Sequence, residues 1–242
     1  MKFIVMHRTN PKWERGDPPD PELIARVGAM MGELVKSGAL RDGAGLRPSS
    51  EGVRVRFSDS DRTVTAGPFS GGNELPSGFE IVRATTIEGA VDWAAQQAEI
   101  LGVVEADIRP VTEAWDIGMA PPPAEITSRR YMVQRKATPA TESGAEPTPA
   151  QRSALSRLIE RTTSGAEVQH LSSVSLAPSR RGRRLVNSRN GITMFDGPFL
   201  ESKELLSGFV IVDLPSMEDA VRMAERYMSA VDTPELDVRE LD

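Results

Sequence analysis

The chain has 242 residues, with 29 Lys and Arg against 35 Asp and Glu, a net charge of −6, and no cysteine. That length favours two compact cores over one, and the lack of cysteine excludes disulfides, thiol nucleophiles, iron–sulfur clusters and cysteine-based zinc sites. With only His7 and His170 to draw on, no metal or cofactor is expected, and the acidic balance argues against nucleic-acid binding.

No apolar run reaches the roughly 20 residues that span a bilayer. The opening MKFIVMHRTNPKW lacks a signal-peptide core, so a soluble cytoplasmic protein is expected. Lys2–Met6 reads as a short apolar strand. Pro21–Lys36 carries Ile24, Val27, Met31, Leu34 and Val35 at helical spacing, with Asp20 as N-cap and Gly38 as stop. Val53–Phe57 alternates as a half-buried strand does, and Thr63–Thr65 returns after a polar turn. Phe79 and Ile81 alternate in the next strand. Thr86 then caps a helix bearing Ile87, Ala90, Val91, Ala94 and Ala98, and Glu105–Val111 closes the first half as a strand. Met119–Glu125, with three prolines, is a stiff extended connector.

The second half opens with a strand at Tyr131–Gln134, followed by a polar stretch from Ala137 to Thr148 that reads as a loop. A helix begins at Thr148-Pro149, and His170 enters a second strand. The run from Arg180 to Arg184 reads as a solvated hairpin tip, and Asn190-Gly191 is a two-residue hairpin turn. Ser216 and Asp219 resemble a capping box before Ala220, Val221, Ala224 and Met228.

Self-comparison is decisive for the organisation. At a shift of 130 residues AGPFSGGNELPSGFEIV (66–82) lies on DGPFLESKELLSGFVIV (196–212), with 10 of 17 positions identical. The same shift places Glu88, Ala90, Val91 and Ala94 on Glu218, Ala220, Val221 and Ala224. It also places Glu105, Asp107 and Arg109 on Glu235, Asp237 and Arg239. The chain is therefore a tandem duplication, with modules at 1–118 and 128–242 and a Pro-rich linker at 119–127. The order β-α-β-hairpin-β-α-β is that of an α+β, ferredoxin-like module.

Asp196-Gly197-Pro198-Phe199, followed by Glu201, Lys203-Glu204, Leu205 and Gly208-Phe209, resembles the DGPF subgroup of the YCII-related family. The resemblance covers nearly the whole of both modules. It implies a dimeric α+β barrel, two ferredoxin-like sheets face to face around a cleft, here formed within one chain. A sheet with helices on one face leaves the other bare, so a partner sheet is the natural cover, and the tandem copy supplies it at high effective concentration. Some YCII-like proteins are similar to lyases or dehydrochlorinases that use a His–Asp pair, and others are joined to sigma-factor-like regulators. The resemblance thus implies a small-molecule ligand in the cleft, with cofactor-free lyase, isomerase or cyclase chemistry. The alternative is a non-catalytic regulatory or protein-interaction module linked to transcription, and the fold cannot choose between them.

Asp196, at the end of a strand and before a Gly-Pro turn, is the leading acid–base candidate; the other reading is a turn residue that accepts backbone N–H groups. The matching residue in the first module is Ala66, so a site would belong to the second module alone. His170 is the available partner for Asp196, although neither first helix carries the histidine that the resemblance implies. Phe199, Trp13, Trp115 and His7 are the candidate ligand-lining residues. Gly71-Gly72-Asn73 lacks the pattern of a phosphate loop. A free sheet edge could pair two chains as a homodimer.

Overall fold

A computed structural model describes residues 1–58, 61–69, 72–199 and 202–241. The elements of the first half are β1 (Lys2–Arg8), α1 (Pro11–Glu14), α2 (Pro21–Lys36), β2 (Leu40–Gly45), β3 (Val53–Phe57), β4 (Arg62–Ala66), β5 (Pro76–Ala84), α3 (Ile87–Leu101) and β6 (Glu105–Pro110). Those of the second are β7 (Arg129–Lys136), α4 (Pro139–Ser143), α5 (Pro149–Thr162), β8 (Val168–Ser175), β9 (Gly182–Ser188), β10 (Gly191–Asp196), β11 (Leu206–Asp213), α6 (Met217–Val231) and β12 (Glu235–Glu240). No helix among the described residues is long and apolar enough to cross a membrane.

The helices start where their caps dictate. Thr86 Oγ1 accepts the Gly89 N–H at 3.1 Å, Ser216 Oγ accepts that of Asp219 at 3.1 Å, and Thr148 with Gln151 forms a reciprocal box. Asp20 stands at the N-cap of α2 but makes no capping bond; its carboxylate takes Lys12 Nζ instead, at 2.8 Å. The stretch from Ala137 to Thr148 is not wholly loop. Thr138 and Thr141 cap each other around the short α4.

The strands form two antiparallel six-stranded sheets, giving an α+β architecture. Their orders are β10-β9-β12-β1-β11-β2 and β4-β3-β6-β7-β5-β8. Neither sheet belongs to one sequence module. The chain divides into a compact unit of Met1–Leu46 with Leu176–Asp242, and a second of Arg47–Ser175. Each unit takes its first β-α-β from one module and the hairpin, third strand, helix and last strand from the other. The two copies can exchange this piece because their patterns are interchangeable: β1 pairs Val5 with Val238, and β7 pairs Val133 with Ile108, where Ile108 and Val238 are related by the 130-residue shift and Val5 and Val133 by one of 128. The Pro-rich stretch 119–127 consequently lies within the second unit instead of joining two units.

Each unit has its own core. In the first, Phe3 and Val5 of β1 and Val210 and Val212 of β11 pack with Met223, Ala224, Tyr227 and Met228 of α6, beside Met30 and Leu34 of α2. In the second, Val82, Ile108 and Val133 pack with Ala90, Trp93 and Ala94 of α3 and Leu158 of α5. A fully buried Val or Phe at such positions contributes about 1.5–3 kcal/mol. The opposite parity of β1 (Ile4, Met6 and Arg8) is buried as well, with at most 1 % exposure.

The division has a direct test. A fragment of residues 47–175, contiguous and with its own core, is expected to fold as a monomer. A fragment of 128–242 lacks β1 and β2 and is expected to be unfolded or to dimerise. Circular dichroism with sedimentation analysis of the two fragments distinguishes this arrangement from two units that follow the modules.

Candidate functional site

The residues singled out from sequence are spread over both units. Asp196 ends β10, the exposed edge strand of the first unit. Its side chain is 72 % exposed and pairs with Arg183 Nε at 2.7 Å. An ion pair of that exposure is worth about 0–1 kcal/mol. His170 lies on β8 in the second unit, stacked on Trp93 with ring centroids 5.7 Å apart, and its Nε2 meets Ser173 Oγ at 2.9 Å. Burial lowers its pKa. Asp196 and His170 therefore each bond within their own unit. Trp13, on α1, borders a cavity of about 50 Å³ together with Asn10, Pro19, Leu23 and Asp232. Trp115, in a 3₁₀ turn over 114–117, has a buried Nε1 with no hydrogen-bond partner among the described residues. Gly71 and Glu201 lie outside the described residues.

His7 faces the helix side of β1 and its Nδ1 meets the Tyr227 hydroxyl at 3.0 Å. Burial, helped by the neighbouring Arg8 charge, lowers its pKa to about 4, and burial raises that of Tyr227. Below its unfolded value near 6.5 the unfolded chain binds a proton at His7 that the folded chain refuses. Stability from this group is full above about pH 6.5 and is lost as pH falls towards 4. The His7 imidazole is expected to titrate near pH 4 by NMR, and His7→Gln to flatten the pH dependence of the melting temperature in that window.

Phe199 leads to a different site. Its ring lies under the Arg184 guanidinium, 4.4 Å from ring centroid to Cζ. Arg184 is thus no solvated hairpin tip. It is largely buried, and its Nε and Nη2 fork onto Asp237 at 2.7 and 3.0 Å. Asp237, on β12, has no exposed side-chain surface. It also accepts Arg8 Nη2 in a short bond, and Glu235 Oε1 lies 3.6 Å from Arg8 Nε and 3.4 Å from Arg184 Nε. Thr233 Oγ1 fixes the Arg8 backbone by donating to its carbonyl at 2.9 Å. Burial pushes the Asp237 pKa upward, but Arg8 and Arg184 outweigh it and hold the group ionised. For Glu235 burial wins over the same two arginines and raises the pKa.

The second unit repeats the cluster. Arg54 forks onto Asp107 at 2.6 and 2.9 Å and sits 4.8 Å over Phe69. Lys136, which β7 places where β1 places Arg8, donates to Asp107 at 2.6 Å. The GPF loops hang from this frame. Phe69 and Phe199 donate their N–H groups to the buried Ser49 and Ser179 hydroxyls at 3.2 and 2.9 Å. A Cβ on Gly67 or Gly197 would lie 1.8 Å from the Ser49 or Ser179 carbonyl oxygen, so only glycine fits there.

The two clusters differ in one carboxylate. In the second unit Glu74, 2 % exposed, receives Arg54 Nη2 on both oxygens at 2.9 Å and a short bond from Lys136. Its counterpart Glu204 is exposed. Arg8, 1 % exposed, keeps Nε and Nη1 without a hydrogen-bond partner among the described residues. Burying such donors unsatisfied costs about 1–3 kcal/mol, more for a charged group. No set of three or more His, Asp or Glu side chains among the described residues is placed to hold a metal ion.

The chain matches no family model, no curated protein and no solved structure. The cluster was nonetheless signalled in the sequence: Glu105, Asp107 and Arg109 recur at Glu235, Asp237 and Arg239, all on one face of a strand, and a charged face on an inner strand has to be paired. Asp237→Asn is expected to cost about 3–5 kcal/mol, because two arginines lose a buried partner. Asp196→Asn is expected to cost less than about 1 kcal/mol. Urea unfolding of the two variants measures the contrast.

Proposed function

We propose that the chain is a cytoplasmic small-molecule-binding protein related to the YCII proteins, built from ferredoxin-like units, with its ligand held at Arg8, Arg184, Glu235 and Phe199 of the first unit. The observation that carries this reading is the buried Arg8 guanidinium with two nitrogens that make no hydrogen bond among the described residues, beside a sibling site in which the equivalent cation is held by two carboxylates. A buried charged donor without a hydrogen bond calls for an explanation, and a ligand that completes it is one. Glu235, whose carboxyl burial holds towards its protonated form, is the group suited to cofactor-free proton transfer of the lyase or isomerase kind. Asp196, on an exposed edge, is a structural turn residue in this reading.

A thermal-shift screen of small organic molecules tests it. A ligand at one hundred times its Kd is expected to add about 2.7 kcal/mol of stability. Arg8→Met, if folded by circular dichroism, is expected to abolish the response, and a response unchanged in that variant overturns the assignment.

A second reading, a protein-interaction module, is favoured by β10. This edge strand exposes Ile192, Met194 and Phe195 at 40–52 %, and unpaired apolar edges invite strand pairing. It predicts concentration-dependent association in sedimentation velocity that Met194→Lys abolishes.

A further inference from the structure

The two clusters are a comparison the molecule makes with itself. Both have a buried aspartate on the last strand of the unit, Asp107 or Asp237, and both have an arginine from the preceding hairpin that forks onto it and stacks on the phenylalanine of a GPF loop. Both have a cation at the end of the strand contributed by the other module, Lys136 or Arg8. In the second unit a third party bridges the two cations: the Glu74 carboxylate, bound by Arg54 Nη2 through both oxygens and by Lys136 Nζ. In the first unit the corresponding glutamate is exposed, and the cation there has two buried nitrogens that make no hydrogen bond among the described residues, Glu235 standing 3.6 Å from one of them.

We infer that the first unit binds a carboxylate group of a small organic molecule at Arg8, in the place that the Glu74 carboxylate takes in the second unit. This rests on the ligand-binding reading above and adds the chemical class. The sibling site states the requirements: one planar anion with two oxygens, reached by an arginine and a second cation, over a buried aspartate. A singly charged group suits the first unit for the same reason. Asp237 and Glu235 already supply two carboxylates within 4 Å of the arginines, and a dianion would add a second like charge to them. The second unit, sealed by its own side chain, takes no such ligand.

Acetate is the probe, with acetamide as its neutral isostere and chloride at matched ionic strength. Wild-type protein is expected to gain melting temperature in acetate over both controls. Arg8→Met is expected to lose that gain, and Arg8→Lys, which copies Lys136, to retain part of it. Glu74→Ala opens the second site, so acetate is expected to recover most of the melting temperature that this substitution removes, while acetamide and chloride recover little. Equal effects of acetate, acetamide and chloride overturn the carboxylate assignment. If acetate rescues Glu74→Ala but wild type does not respond, carboxylate chemistry is right for this architecture and the open site in the first unit is what fails. If wild type instead responds to neutral molecules through Arg8 and acetate rescues nothing, the ligand site stands and its carboxylate class falls. Should Glu74→Ala not fold in any of the three buffers, the wild-type and Arg8 arms decide alone.

Discussion

One carboxylate in each unit, Asp107 or Asp237, organises much of the structure around it. A group buried on an inner strand and kept ionised cannot stand without cations, and the two that serve it come from different strands. Arg184 reaches Asp237 from β9 and Arg8 reaches it from β1, 229 residues away. The ion cluster therefore ties together three strands of the sheet and also fixes their register, since a one-residue slip of β1 would turn Arg8 towards the helices and leave Asp237 half-satisfied. Charge of this kind adds little net stability over a well-packed apolar core. What it contributes is a penalty on wrong pairings.

That penalty acts on register and does not choose between the copies, because the chain is a duplication with a cation and an aspartate at equivalent places in both. Two similar copies present interchangeable strands, and apolar pattern alone does not say which first strand belongs with which last strand. The exchanged arrangement puts cations from one copy on carboxylates of the other in both units, Arg8 on Asp237 and Lys136 on Asp107. Sequence divergence has then acted on the periphery of an unchanged frame. The serine-anchored turn, the glycine that nothing larger can replace and the stacked phenylalanine are kept in both halves. The glutamate of the following loop is turned inward in one half and outward in the other.

Much of this was legible in the residues. The helices at Pro21–Lys36, after Thr86, after Thr148 and after Ser216 follow from apolar spacing and caps, and the structure places all four there. The alternating strands and the Asn190-Gly191 turn are equally plain. Strand β2 was not legible, since Leu40–Gly45 carries an Arg-Asp-Gly run and no alternation; it is held by pairing with β11. The exchange was not legible either, because the 130-residue shift that reveals the repeat makes both pairings equivalent. Arg184 was lost among neighbouring arginines, as no local signal separates the arginine aimed inward from those in solvent. Asp196 drew attention through its motif and stands exposed on an edge strand, whereas Asp237, marked only by its recurrence with Asp107, is the carboxylate buried among the arginines.

The exchange also sets an order of events during synthesis. Residues 47–175 are one contiguous stretch with both edges of their sheet inside it, so this unit can close while the remainder is still being made. β1, by contrast, is made long before its neighbours: both of them, β11 and β12, are more than 190 residues downstream. It must wait, apolar and unpaired, while the whole of the second unit is made. The Arg8 cluster consequently forms after that of Lys136, and a nascent chain halted before β12 carries the second unit's cluster but not the first unit's.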